Sequence, residues 1–483
     1  MAQVEKYAGF TGQYIDGKWI DGSAGTILRD INPWNNDLLT EIVQADAADL
    51  DRAYAAAARA QKDWAATLPG ERAAVFNRAV EILDRRKDEI IDWIIAESGS
   101  TRLKAGIEFG AVRTGMVEAA GMPYMMTGHI IPVDRAGKEA RVYRKPVGVV
   151  GVISPWNFPF HLSNRSVAPA LALGNAVVLK PASDTPVTGG LLLARIYEEA
   201  GLPAGLLNVV VGAGSVIGDA FTAHATPRVI SFTGSTDVGK RIAQVAATSS
   251  RLKRMGLELG GNAPLVILDD ADIGTAVHAA VVGRFLHCGQ ICMSTNRIIV
   301  DASIHDQFLE AYVEAVRHIP YGDPSNPETL VGPLTNDSQV KTVRGLIESG
   351  IASGFDLRVK GDIEGRLVPP HLFAGVCNSS HLAQSEIFGP VAQVIRAADE
   401  AEALRFANDT EFGLSSAVVS RDTGRAAAFG LQLEAGMTHV NDISVADYPH
   451  VMFGGEKNSG IGRFNGHWVV DEFTTSQFIS VQR

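Results

Sequence analysis

Cysteine is scarce: three residues, Cys288, Cys292 and Cys377, in a chain of 483. Three thiols cannot build a disulfide framework, so a reducing compartment, the cytoplasm, is the expected setting. Positive charge is also short, with 43 Lys and Arg against 54 Asp and Glu, a formal balance of −11. Nucleic acid and anionic membranes select basic surfaces, so neither is an expected partner. No uninterrupted apolar run approaches the roughly 20 residues of a spanning helix. The richest stretch, 147–160, is broken by Gly148, Gly151, Pro155 and Pro159. Residues 1–10 lack a basic start followed by an apolar core, so no secretory leader is expected. Nothing repeats at solenoid spacing.

What is present is a composition ordinary for a soluble globular enzyme: 46% hydrophobic and 20% charged residues. At about 150 residues per domain the length implies three domains, or two large ones with an excursion. Tyr14-Ile15-Asp16-Gly17-Lys18-Trp19 reads as a short hairpin on an Asp-Gly turn. Helical patterns follow over 47–66 and 71–97, the second with an apolar stripe through Val75, Ala79, Ile82 and Ile90. From residue 145 strands alternate with helices. The strands are expected at 147–153, 176–180, 207–211 and 229–232, then again at 265–268, 297–300 and 391–395. This is the signature of an α/β fold with mostly parallel sheets, which place ligands at the C-terminal strand ends. The polar, basic stretch 132–144 reads as an edge hairpin, and 321–327 as a surface loop.

Cys292 lies in His287-Cys288-Gly289-Gln290-Ile291-Cys292-Met293-Ser294. By residue type alone it is a buried core thiol. Its tight, polar flanks also allow a loop-to-helix junction that would expose the sulfur and lower its pKa. Cys288 could share a helix face with it, but no Cys/His cluster completes a metal site. Glu258 sits between Leu257 and Leu259, before Gly260-Gly261. It is either a solvated acid or a partly buried general base with a raised pKa, the glycines admitting close approach of a ligand. Asn157 is either a turn asparagine or an amide donor to an oxyanion. Two glycine runs, 211–218 and 232–239, follow strands; each is a plain strand–helix turn or a phosphate cradle. Lys180 is either a surface lysine at a strand exit or a donor to a ribose.

Seven motifs in order give these residues a context: PWNFP at 155–159, KPASDTP at 180–186, FTGSTDVG at 232–239, LELGGNAP at 257–264, GQIC at 289–292, EIFGP at 386–390 and FGGEKNSGIGR at 453–463. The chain resembles the aldehyde dehydrogenase superfamily from Tyr14 to about Phe473. The stretches FLHCGQICMST and RSVAPALALGNAVVLKPASDTPVTGG look most like the bacterial benzaldehyde and vanillin dehydrogenases. The resemblance implies a Rossmann-type cofactor domain over 1–131 and 145–256 and an α/β catalytic domain over 257–440. It further implies bridging segments at 132–144 and 474–483, with 441–473 returning to the cofactor side. Cys292 would be the nucleophile, Asn157 and the Cys292 N–H the oxyanion donors, and Glu258 the base that activates water. The implied reaction is NAD- or NADP-dependent oxidation of an aldehyde to its acid through a thiohemiacetal and a thioester.

By the same resemblance Lys180 and Glu386 would hold the two riboses of NAD, with Phe388 near the nicotinamide and Ser235 at the pyrophosphate. Ile153 and Trp156 would line the groove, and Gly214 and Gly218 would flank the adenine side. Ser154, Pro155, Ala182, Ser183, Phe232, Gly234, Val238, Leu259 and Gly260 would complete it. Phe158, Leu162, Ile291, Met293 and Phe453 would line the aldehyde tunnel and suit an aromatic ring. Arg165 would contact a ring substituent or pair with a structural acid. The chain departs from the family's pattern where Ser183 replaces a common Glu, leaving NADP admissible. Ser166 and Phe464 replace the usual Lys and acid near the base, leaving water as its proton path. His287 replaces an Asn, as a supporting donor or a satisfied structural histidine. A homodimer or homotetramer is implied. The competing readings are a broad aliphatic or semialdehyde dehydrogenase, a CoA-acylating relative, and a non-catalytic binding protein; Glu258 argues against the second, and the set Cys292, Glu258 and Asn157 against the third.

Overall fold

A computed structural model of the chain describes residues 6–483. The reading of 1–10 as leaderless and the start of the first segment at residue 1 both fall partly on residues outside that range.

Two twisted sheets organise the molecule. The first runs, in spatial order, Lys18–Ile20, Gln13–Ile15, Leu207–Val209, Ala176–Lys180, Val149–Ile153, Val229–Thr233, Arg254–Glu258, Gly460–Ile461. Its five central strands are parallel, and antiparallel pairs close both edges. The strands Ala176–Lys180 and Val229–Thr233 are buried along their whole length. They are rich in β-branched residues, as a sheet covered by helices on both faces requires. The second sheet runs Asp356–Val359, His371–Ala374, Val391–Ala397, Thr295–Asp301, Ala263–Ile267, Ser415–Val419, Met437–Val440. All its pairs are parallel except the first. Each sheet carries its own apolar core. The division expected at 257 falls inside the strand Arg254–Glu258, so the first sheet holds Leu257 and Glu258 in register with Ile461 and Gly460.

A third sheet of three strands stands apart in sequence: His129–Ile131, Lys138–Pro146 and Thr474–Gln482. The last two pair antiparallel from Thr474 opposite Pro146 to Gln482 opposite Lys138. Ile130, Tyr143 and Phe478 are exposed on it.

The hairpin at Asp16-Gly17 forms as the sequence indicates, with both turn residues at positive φ. The helix Ala47–Ala66 starts on a reciprocal cap between Asp46 and Asp49. The helix expected over 71–97 is instead two, Pro69–Arg85 and Lys87–Ser98, because Arg86 leaves helical geometry at φ −108°, ψ 14°. There its guanidinium bridges Glu89 at 2.9 Å and Glu199 at 3.2 Å. Among the described residues no helix is long and apolar enough to cross a membrane.

Candidate active site

The strand ends of the first sheet face the start of the second. Val149–Ile153 leads into Ser154–Asn157, Val229–Thr233 into Gly234–Ser235, and Arg254–Glu258 into Leu259–Asn262. Cys292 arrives from the other side, on the connection into Thr295–Asp301.

That connection is strained. The helix Ile273–Phe285 ends, and His287, Cys288 and Gly289 follow with φ of 51°, 58° and 72°. Two successive side-chain-bearing residues in the left-handed region need support from their surroundings. Arg284, wholly buried, supplies it. Its guanidinium donates to the carbonyls of Thr295 (3.1 Å), Gly289 (3.2 Å), Ile387 (2.5 Å) and Gly389 (2.6 Å), and to Asn296 Oδ1 (3.1 Å). A Cβ at Gly289 would lie 2.1 Å from that guanidinium, so only glycine fits. Ser444 Oγ donates to the Met293 carbonyl at 2.7 Å. Thus Cys292 is not at a loop-to-helix junction. It follows a tight turn and precedes a strand, with no helix N-terminus to stabilise a thiolate. Burial instead pushes its thiol up to about 12, with Glu386 adding to the effect and Arg165 opposing it. Cys288 does not share a helix face with it. Its thiol is buried, donates to the Gly332 carbonyl at 3.2 Å, and is likewise raised to about 12 by burial.

Glu258 ends its strand fully buried, and neither carboxylate oxygen has a hydrogen-bond partner among the described residues. Burial raises it to about 8; Arg165 and Arg463 pull it down, while Asp447 and Glu472 push it up. The glycine pair after it serves the protein's own packing. A Cβ at Gly261 would meet the Cys292 carbonyl at 2.1 Å, and one at Gly260 would meet Glu386 Oε2 at 2.7 Å. Those approaches bring the strand end of Glu258 against the backbone of Cys292. Asn157 Nδ2 donates to the Gln290 carbonyl at 2.9 Å. An amide nitrogen carries two hydrogens, so one remains for another acceptor.

Two hollows meet at the thiol. One, of about 250 Å³, is lined by Pro155, Trp156, Gly234, Ser235, Leu259, Gly260, Glu386 and Phe388. The other, of about 290 Å³ and largely apolar, is lined by Phe158, Leu162, Arg165, Ile291, Met293 and Phe453. Cys292, Asn157 and Leu162 border both.

The first hollow has the parts of a dinucleotide groove. The helix Thr236–Thr248 starts beside it with no side-chain cap on its first N–H groups, a natural seat for a phosphate. Trp156 and Phe388 meet edge to face at 5.6 Å. Glu386 Oε1 accepts the Gly261 N–H at 2.8 Å, and burial raises the carboxyl to about 7. Lys180 ends its strand buried, with only a 3.4 Å hydrogen bond to the Pro181 carbonyl, and burial lowers it to about 8. Its unused donors suit ribose hydroxyls. Lys180 itself does not border the hollow, and of the other residues expected here neither do Ile153, Ser154, Ala182, Ser183, Phe232 and Val238. Nor do Gly214 and Gly218, and a Cβ on either would meet nothing within 4 Å. The close-packed glycine of that run is Gly212, where a Cβ would lie 2.8 Å from Ile217. Thr233, Gln339 and Thr342 border the groove without having been singled out in the sequence. The last two come from the helix Asp337–Ala352, far along the chain and carrying no motif.

In the apolar hollow Arg165 lies 4.3 Å over the Phe453 ring and 5.2 Å from that of Phe464. Its Nη1 is 3.8 Å from Asp447, which also contacts His161 Nε2 at 2.8 Å. Arg165 therefore pairs with a structural acid while lining the cavity. His287 is buried and packs edge to face with Phe158 at 5.7 Å. Among the described residues its ring nitrogens make no hydrogen bond of full geometry, the Asn157 backbone is the polar group that acts on it, and burial holds the imidazole well below its usual range.

The sequence pattern of the aldehyde dehydrogenase family matches residues 19–479. The chain belongs to the aldehyde dehydrogenase family. A vanillin dehydrogenase of Corynebacterium glutamicum is 55% identical over 98% of each chain. The crystal structure of an NAD-dependent benzaldehyde dehydrogenase of the same organism superposes with a TM-score of 0.91 at 52% identity, over 99% of each chain. That of a salicylaldehyde dehydrogenase from Pseudomonas putida, complexed with salicylaldehyde, does so with a TM-score of 0.95 at 37% identity over 98% of each. These alignments span both sheets and all seven motifs, so the fold expected from the resemblance is the fold of the family.

Proposed function

We propose that this aldehyde dehydrogenase oxidises aromatic aldehydes of the benzaldehyde or vanillin type to carboxylic acids, with NAD as hydride acceptor. The observation that carries the reading is the position of Cys292 where an apolar cavity meets a dinucleotide groove, with Asn157 bordering both hollows and Glu258 outside their walls but near enough for its charge to act on the thiol. The named activities of the relatives support the substrate class. Phe158, Leu162, Ile291, Met293 and Phe453 offer a flat, apolar wall, and Arg165 a cation at its edge.

Cys292 Sγ gives its proton to solvent water and adds to the aldehyde carbon, the C=O π pair moving onto the oxygen. The free Asn157 amide hydrogen and the Cys292 N–H hold the oxygen of the resulting thiohemiacetal. When bound, the oxidised nicotinamide would supply the hydride acceptor and a positive charge. Loss of hydride from the carbon leaves a thioester on Cys292. Glu258 then takes a proton from water, the water oxygen attacks the acyl carbon, the C–S bond breaks and the acid departs. Lys180 and Glu386 would hold the riboses of the cofactor, and the first turn of Thr236–Thr248 its pyrophosphate. By the family's pattern Ser183 replaces a carboxylate that would repel a 2′-phosphate, so NADP is also accepted.

The three-stranded sheet joins subunits of a homodimer or homotetramer, and the enzyme works in the reducing cytoplasm, consistent with three free cysteines. The test of the reading is kcat/KM for benzaldehyde, vanillin and acetaldehyde with NAD and with NADP, each with and without CoA. Aromatic aldehydes with NAD are expected to lead, and CoA to add nothing. A higher kcat/KM for acetaldehyde overturns the substrate class, and CoA-dependent turnover overturns hydrolysis.

A further inference from the structure

The helix Pro159–Ala172 follows directly on Asn157 and Phe158 and has no cap from its own N-cap residue. Its first free N–H groups are met from another helix, Arg102–Gly121. Glu108 Oε1 accepts from Phe160 N at 2.9 Å and His161 N at 3.1 Å. Its other oxygen, Oε2, lies 2.5 Å from Lys104 Nζ, one helical turn away. Both side chains are entirely buried. The Lys104 ammonium also stands 4.1 Å above the Phe158 ring, which meets His287 edge to face. Burial pulls that ammonium down, and the Glu108 carboxylate holds it up.

A buried ion pair is a poor stability device, since a well-packed apolar pair commonly does as well. This one grips three of the four residues that follow Asn157: the ring of Phe158 and the N–H groups of Phe160 and His161. Glu108 also borders the substrate cavity. An oxyanion donor works only when held to within about half an ångström of its target. We infer that the Lys104–Glu108 pair is a positioning unit, which fixes the Asn157 amide and the Phe158 wall of the cavity by capping the helix behind them. The inference rests on the reading of Asn157 as an oxyanion donor.

The test is a double-mutant cycle between Glu108→Gln and Asn157→Ala, read on kcat and on KM for benzaldehyde, with NAD binding and the melting curve of each variant recorded. Glu108→Gln is expected to lower kcat about 10- to 100-fold with NAD affinity unchanged. In the Asn157→Ala background, itself down about 100- to 1000-fold, it should have little further effect. Lys104→Met/Glu108→Gln leaves no unpaired buried charge and serves if the single variant fails to fold; the same loss and the same non-additivity are expected. Folded variants with kcat within about twofold of the parent overturn the proposal, as does an undiminished loss in the Asn157→Ala background. If Asn157→Ala alone costs nothing, it is the oxyanion reading that fails.

Discussion

In the proposed reaction the Cys292 thiol is placed for attack before it is activated for attack. Burial raises it to about 12, so thiolate is scarce in the free enzyme at neutral pH. Alkylation of Cys292 should therefore be slow without NAD and accelerate when NAD brings its positive charge into the groove. Equal rates with and without NAD, read by peptide mass spectrometry, would show that the groove does not govern the thiol. Glu258 works in the other direction. Only its carboxylate form accepts a proton, so the deacylation rate should rise with pH up to about 8 and level off above it. The same shift sets a sign for stability. The folded pKa of about 8 exceeds the reference of 4.5, so the folded state binds the extra proton, and Glu258 withdraws stability as pH climbs through that interval. Glu258→Gln should therefore melt above the parent at about pH 9 and no higher than the parent at about pH 4. The opposite order would contradict the burial that makes this carboxyl a base.

At the scale of elements, the turn before Cys292 and the segment Glu386–Gly389 are fastened to each other by Arg284. Replacing it with Met strands buried carbonyls and should cost about 3 kcal/mol or more, seen as a lower denaturation midpoint at unchanged slope. Arg284→Lys should recover little, since one ammonium cannot reach acceptors on three segments. These links also mark where the sequence stopped being readable. The strands expected at 176–180 and 229–232 are legible from their apolar, partly β-branched stretches, as is the Asp-Gly hairpin. Cys292, Glu258 and Asn157 stood out because scarce or glycine-framed residues sit in ordered motifs. Arg284 and the Lys104–Glu108 pair carried no local mark. Their meaning lies in carbonyls and N–H groups that the chain brings back from a distance: 103 and 105 residues away for Arg284, 52 and 53 for Glu108. The direction of the Cys292 shift was misjudged for a related reason. The flanking residues indicate a tight turn, but only the fold shows that a strand rather than a helix follows it. Gln339 and Thr342 reach the groove on a helix whose own pattern is ordinary.

At the scale of the molecule, the three-stranded sheet leaves Ile130 73% and Phe478 60% exposed on a single chain. Apolar side chains of that size on an open sheet mark a contact surface. Ile130→Asp/Phe478→Asp should sediment as a monomer and the parent as a dimer or tetramer; a monomeric parent would remove the assembly from the account. The larger claim concerns what the two sheets accomplish together. In the proposed reading the first carries the base and the helix terminus for a pyrophosphate, the second follows the thiol, and the two hollows meet at Cys292. The most direct test is to mix Glu258→Gln enzyme with benzaldehyde and NAD, quench it, and locate the acyl group by peptide mass spectrometry. The account predicts one equivalent of reduced NAD and a benzoyl thioester on Cys292. Benzoyl on Cys288 or Cys377, or continued turnover with Cys292 never acylated, would contradict it.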